Sequence, residues 1–239
     1  MKTSSIASMF FLLILLVVAV SACDSVFSVE GNGNIVKVQR DISLVDQLKV
    51  SGGFSVVLSQ SDSESLWVEA DENLMDFIVT RINSGVLDVS SKESIKGSRD
   101  IVIYLTVKDL SEIDLSGAVD IKSEQELNFD EISISGSGAS TLNLTLVTET
   151  ITTDLSGAND VTLSGRAENF IARLSGASDL NAFSFQVSNL NIKVTGAGDA
   201  RVSVSETLRV SISGAGSVTY QGNPQIEQEI NGAGSLKKR

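Results

Sequence analysis

Close copies of one short motif recur from the middle of the chain to its C-terminus. Leu115-Ser116-Gly117-Ala118-Val119-Asp120 is followed by Ile134-Ser135-Gly136, Leu155-Ser156-Gly157-Ala158-Asn159-Asp160 and Leu174-Ser175-Gly176-Ala177-Ser178-Asp179. Val194-Thr195-Gly196-Ala197-Gly198-Asp199, Ile212-Ser213-Gly214-Ala215-Gly216-Ser217 and Ile230-Asn231-Gly232-Ala233-Gly234-Ser235 complete the series. The glycines at 117, 136, 157, 176, 196, 214 and 232 lie 18 to 21 residues apart. A unit this short cannot bury its own apolar face, so it is stable only when stacked on its neighbours, and a period near 20 residues marks a solenoid.

Each copy sets an aliphatic residue, a small hydrogen-bonding residue, a glycine and usually an alanine in that order. Glycine takes φ > 0 without steric cost and can turn a corner that a Cβ would resist. On either side of it apolar residues alternate, as in Ile192 and Val194 before a corner or Val218 and Tyr220 after one. That period of two describes strands with one buried face. The expected fold is all-β, a parallel β-helix of about 20-residue coils. Leu115, Ile134, Leu155, Leu174, Val194, Ile212 and Ile230 should stack as one aliphatic ladder about 4.8 Å apart, with the Ser, Thr and Asn that follow them forming an outward ladder. Ser178 reads as a tolerant corner position, in contrast to Gly176.

Residues 1–22 read as a signal segment: Lys2, the apolar run Phe10 to Val20, and small residues up to Ala22. Val20-Ser21-Ala22-Cys23 resembles the bacterial lipobox, in which the cysteine is acylated, and Cys23 is the only cysteine, so no internal disulfide is expected. The implied location is the cell envelope, held by an N-terminal lipid, with the outer membrane and its exposed surface as the expected site. The net charge of −12 becomes −13 once Lys2 leaves with the signal, which argues against nucleic acid as a partner. Residues 23–33 read as a tether and residues 34–239 as the solenoid domain. Within it, 34–113 should form irregular coils and 114–239 regular ones. The 65 residues from Gly52 to Gly117 leave room for about three coils. Asp71 to Met75 reads as one helical turn and Ser91 to Asp100 as a protruding loop. Lys237-Lys238-Arg239 read as a charged end cap that discourages end-to-end stacking.

Residues 214–224 (Gly-Ala-Gly-Ser-Val-Thr-Tyr-Gln-Gly-Asn-Pro), 230–238 (Ile-Asn-Gly-Ala-Gly-Ser-Leu-Lys-Lys) and 68–74 (Val-Glu-Ala-Asp-Glu-Asn-Leu) resemble the bacterial "putative autotransporter adhesin, head GIN domain" family. The resemblance covers about residues 34–238. It implies a right-handed parallel β-helix on a secreted lipoprotein and carries no established activity. No autotransporter barrel is expected in this chain.

The chain has no histidine, which removes Ser-His-Asp triads, Cys-His pairs and histidine-ligated metals. Gly196-Ala197-Gly198 lacks the helix N-terminus that a phosphate loop requires. What remains for catalysis is carboxylates, lysine and arginine, the set a carbohydrate-active β-helix enzyme would use with aromatic walls. Aromatic residues are 5% of the chain, and Trp67, its only tryptophan, reads as half-buried core. The leading expectation is therefore a non-enzymatic adhesin or surface scaffold for a glycan or protein ligand, without cofactor, and the alternative is the carboxylate-pair enzyme. No metal site is the leading reading; the alternative is a calcium ladder of Asp160, Asp179 and Asp199, which recur at one motif position. The competing role for these aspartates is to cap a backbone N–H at their own corners.

Overall fold

The computed structural model describes residues 28–239. The signal segment and Cys23 lie outside the described residues. The strands are β1 (Val29–Glu30), β2 (Ile35–Arg40), β3 (Gln47–Gln60), β4 (Ser65–Asp71), β5 (Ile78–Asn83), β6 (Val86–Ser91), β7 (Ile95–Lys96) and β8 (Val102–Val107). They continue as β9 (Glu112–Ser123), β10 (Leu127–Gly138), β11 (Thr141–Gly157), β12 (Asp160–Gly176), β13 (Asp179–Gly196), β14 (Asp199–Gly214), β15 (Ser217–Gln221), β16 (Gln225–Gly232) and β17 (Ser235–Lys238). A single 3-10 turn, Glu72–Leu74, falls where one helical turn is expected. From β9 onward every pairing is parallel, each coil lying on the one before it, with β14 carrying both β15 and β16 and β15 carrying β17, as a β-solenoid requires.

The corner glycines stack on one another. Gly52 pairs with Gly117, Gly117 with Gly138, Gly138 with Gly157, and Gly176 with Gly196, then Gly214 and Gly232. All have φ between +83° and +133°. A Cβ on Gly176 would also lie 2.5 Å from the Gly157 carbonyl oxygen, so the motif excludes side chains by dihedral and by space together. The residue after each glycine donates its N–H to the previous corner's glycine, as Ala158 does to Gly138 and Ala177 to Gly157 at 2.8 Å. The motif serines add a parallel set: Ser175 Oγ donates to the Leu155 carbonyl at 3.1 Å.

One copy is registered differently from the sequence expectation. The corner of the second regular coil is Gly138, and Gly136 sits in the aliphatic ladder between Leu115 and Leu155, while Ile134 stacks on Ile113. Ser135-Gly136 and Ser137-Gly138 are the same dipeptide two residues apart, so alternation alone cannot choose between them. The missing side chain is replaced by neighbours: a Cβ on Gly136 would lie 3.0 Å from Leu155 and 3.2 Å from Asn159 Oδ1. Asn159 is buried, donates through Nδ2 to the Ser156 carbonyl at 2.7 Å and to Ser178 Oγ at 3.2 Å, and accepts from Ser140 N–H at 3.3 Å. Ser178 is therefore a fully buried member of an internal polar column, not the loose corner position expected from the sequence.

The region before Gly117 also departs from expectation. Gly52 stacks directly on Gly117, so the intervening residues do not build three coils between them. β6 and β8 run parallel to β3 and form one partial coil, which antiparallel strands close: β5 pairs with β6, and β4 with both β8 and β2. The β5–β6 hairpin turns at Ser84 (φ 50°) and Gly85 (φ 82°), the two positive dihedrals that a tight two-residue hairpin loop needs. Antiparallel and parallel strands share the same apolar alternation, which is why the excursion reads as coils in sequence.

The tether is shorter than 23–33, because β1 pairs with β7 inside the expected loop 91–100. Asp71 fastens this junction. Its carboxylate is fully buried and accepts from Gly33 N–H at 2.6 Å, Ser98 N–H at 2.8 Å and Ser98 Oγ at 2.7 Å. Burial pushes its pKa up, but the Ser98 and Gly33 hydrogen bonds outweigh that and hold the carboxyl below its ordinary value.

Gly176→Val should lower stability by about 1–3 kcal/mol or more, whereas Gly53→Val, where a Cβ meets nothing within 4 Å, should stay within about 0.5 kcal/mol in denaturant melts. Equal tolerance would remove the corner role. Because the Asp71 pKa is depressed, its contribution is present above the unfolded-state value near 3.9 and is lost as pH falls through the folded value. Asp71→Asn should thus lower the melting temperature at pH 7, by a margin that shrinks below pH ~4, with faster amide exchange at Gly33 and Ser98. A margin independent of pH would contradict this account.

Candidate functional site

A recessed surface in the regular half arises where coil lengths change. β13 carries extra residues relative to both neighbours. Thr162 pairs with Asn181 but Ser164 with Ser184, and Ala182 pairs with Val202 but Gln186 with Ser203. The segment Phe183-Ser184-Phe185 must bulge out. Phe185 turns inward, fully buried and edge-on to Phe170 with ring centroids 5.9 Å apart. Phe183 stays at the surface, with its carbonyl accepting from Gln221 Nε2 at 3.0 Å and its ring 5.1 Å from the Arg239 guanidinium carbon.

Beside this bulge lie two adjoining depressions of about 500 and 520 Å³ that share Arg166, Ala167 and Ser188. The first is lined by Arg166, Gln186, Ser188, Ser203, Ser205 and Asn223 over a floor of Ala167, Val187 and Val204. The second is bordered by three exposed carboxylates, Glu149, Glu168 and Glu206. Together they form a shallow polar groove running across successive coils. A guanidinium, two amides and several hydroxyls converge there, a donor and acceptor set that matches a polyhydroxylated or peptide-like ligand. Sequence reasoning missed these residues. Their signal was the change of glycine spacing from 20 residues to 18 between consecutive coils.

The three aspartates do stack in consecutive coils: Asp160 pairs with Asp179, and Leu180 with Ala200 places Asp199 next. Two of them, Asp179 and Asp199, cap across coils, not at their own corners. Asp179 Oδ1 accepts from Asp199 N–H at 3.0 Å, and Asp199 Oδ1 accepts from Ser217 N–H at 3.0 Å and from Ser217 Oγ at 2.6 Å. Among the described residues no group of three acidic, cysteine or histidine side chains is arranged to hold a metal ion.

Trp67 is half-buried, but on the outer face, opposite Tyr104, while its neighbours Leu66 and Val68 fill the core. Lys37 Nζ lies 3.4 Å from the Tyr104 ring centroid, and Tyr104 Oη donates to Glu69 Oε2 at 3.3 Å. Burial and the Glu69 charge both raise the Tyr104 pKa.

A capped β-solenoid with a polar groove on its side defines the class. The family described as "Putative auto-transporter adhesin, head GIN domain" matches residues 45–224, and the chain belongs to it. Its fold is similar to that of a putative adhesin from Bacteroides fragilis NCTC 9343, at 20% identity and TM-score 0.83, over 89% of this chain and 100% of that one. A putative lipid binding protein from Parabacteroides distasonis ATCC 8503 is similar at 22% identity and TM-score 0.73, over 89% and 100%. A putative adhesin from Parabacteroides merdae ATCC 43184 is similar at 24% identity and TM-score 0.68, over 89% and 99%. No curated protein matches the chain.

Cross-coil capping predicts that Asp179→Asn, which keeps the acceptor oxygen and removes the middle of three stacked charges, is neutral or raises stability by up to about 0.5 kcal/mol, with or without calcium. A calcium-dependent rise in the wild-type melting temperature that Asp179→Asn abolishes would establish the metal ladder instead.

Proposed function

We propose that this protein is a non-enzymatic adhesin or surface scaffold, anchored in the cell envelope through acylated Cys23, whose polar groove binds an extracellular glycan or protein. The observation that carries the reading is the groove around Arg166: amide, hydroxyl and guanidinium groups held at fixed spacing by a rigid stack of coils. Family membership supports the adhesin role. The enzyme alternative calls for a carboxylate pair between aromatic walls. The carboxylates that border the groove are exposed, and neither depression is lined by an aromatic residue. The lipobox-like Val20 to Cys23 supports the lipid anchor, with the outer membrane as the proposed location.

The two halves of the proposal separate experimentally. Arg166→Ala should leave the protein in the membrane fraction and weaken retention on glycan and matrix-protein arrays by about tenfold or more. Cys23→Ser should do the reverse, leaving the membrane fraction while keeping array binding, since lipid attachment contributes about 0.8 kcal/mol per buried methylene and nothing to the groove. Array retention unaffected by Arg166→Ala would remove the groove from the reading. An unmodified thiol at Cys23 in native protein would remove the anchor.

A further inference from the structure

We infer that the wall between the groove and the glycine corner binds an acidic glycan through Arg173, Lys193 and Arg209, one cation from each of three consecutive coils. These residues are exposed on the outer face of β12, β13 and β14. Arg173 is in register with Lys193, while Arg209 stacks on Asn191, two residues from Lys193 on the same face. Two positive charges are thus fixed at neighbouring places about 4.8 Å apart, with a third diagonal to them. Like charges directly opposite one another on adjacent strands oppose the pairing that brings them together. The stacked aspartates offset theirs with backbone N–H donors. Arg173 and Lys193 have no comparable partner: among the described residues neither forms an ion pair, although Asp154 stands in register with Arg173. Arg209 meets Glu227 at 3.1 Å, in a pair whose side chains are 59% and 78% exposed and which therefore contributes little.

The surroundings of the three cations define the ligand. Across residues 169–175, 189–195 and 207–213 the outward positions include no carboxylate. Beside the cations they are hydroxyls and amides, as at Ser175, Asn191, Thr195 and Ser211, with Ile171 the one apolar side chain and only partly exposed. A flat face of hydroxyl and amide groups suits the hydroxyls of a sugar chain, and guanidinium and ammonium groups suit the carboxylates or sulfates of an acidic one. A membrane surface would call for apolar residues that enter the lipid, and a protein partner for aromatic anchors; the wall supplies neither. The positive tract is also local, because the chain as a whole has 30 acidic residues against 18 lysines and arginines. Asp154 bounds it one coil before, and Glu227 and Glu229 one coil after. Three cations spread over two strand spacings, about 10 Å, reach further than one small anion and match charges borne on neighbouring sugar units. The site is separate from the groove around Arg166 and does not rest on it.

The test is calorimetric titration of the full chain in detergent with an oligogalacturonate, a heparin oligosaccharide, a neutral malto-oligosaccharide and an oligoglutamate peptide. Wild type should bind at least one of the two acidic oligosaccharides, more weakly as salt is raised, and the neutral one at least about tenfold less tightly. Preference for the oligogalacturonate identifies carboxylate as the recognised group, and preference for heparin identifies sulfate. Arg173→Gln with Lys193→Gln should weaken this binding by about tenfold or more, with the melting temperature unchanged or raised because the like-charge contact is gone. Lys108→Gln with Lys122→Gln, which removes the same charge from other exposed positions, should bind as wild type does. Equal losses in the two double variants would reduce the effect to net charge and overturn the inference. So would absence of acidic-oligosaccharide binding up to about 1 mM, or tighter binding of the oligoglutamate than of either acidic oligosaccharide. Loss of acidic binding in Arg166→Ala, with none in the Arg173, Lys193 variant, would place the ligand in the groove and not on the wall.

Discussion

The structure depends on one repeated contact, the hydrogen bond from the residue after each corner glycine to the carbonyl of the glycine one coil earlier. That contact sets the coils at strand spacing at the point where the chain turns. A side chain on the glycine would strike the carbonyl that accepts the bond. The glycine therefore makes the turn possible and leaves room for the next turn to stack. The other ladders follow. Once the corners are in register, the residue two positions before each glycine, aliphatic at every corner except Gly138, must lie inside the stack, and a serine between them, as at Ser175, lies beside the preceding carbonyl.

This dependence explains what could be read in the sequence. A contact made once per coil leaves a period, and the period reveals a β-solenoid. It fixes register only where the motif is unambiguous. Ser135-Gly136-Ser137-Gly138 offers two corners, and the choice of Gly138 rests on Asn159, a polar residue in the following coil whose side chain reaches into the space beside Gly136. Nothing local to residues 134–138 announces that. The antiparallel excursion between Gly52 and Gly117 was hidden for a related reason. Strand alternation reports which face is buried, not the direction of the neighbour, and the one directional signal was the hairpin turn at Ser84-Gly85.

The groove illustrates how a solenoid acquires a site without disturbing its core. Corner and ladder positions tolerate little change, because each is constrained by the coils above and below. The wall between them is looser. Three residues of β13 have no counterpart in β14, yet the pairing resumes at Gln186 and Ser203 and the next corner still closes, Gly196 on Gly214. Such a local mismatch is accommodated where backbone can reach the surface, and it leaves a ledge with a recess beside it. Arg166, Gln186 and Asn223 come from different coils, so no short sequence window could have grouped them.

The stacked aspartates show the same cross-coil logic applied to charge. Neighbouring carboxylates at strand spacing repel by roughly 1 kcal/mol in water, and by more in drier surroundings. A carboxylate bonded only within its own corner would leave that repulsion unopposed along the column. By reaching forward, Asp179 and Asp199 each convert the next coil's backbone N–H into a charge-assisted partner, so the residue that carries the unfavourable charge also strengthens the stacking that brought the charges together. The column ends at Ser217, whose hydroxyl and N–H both donate to Asp199. A neutral donor there completes the series without adding a fourth charge.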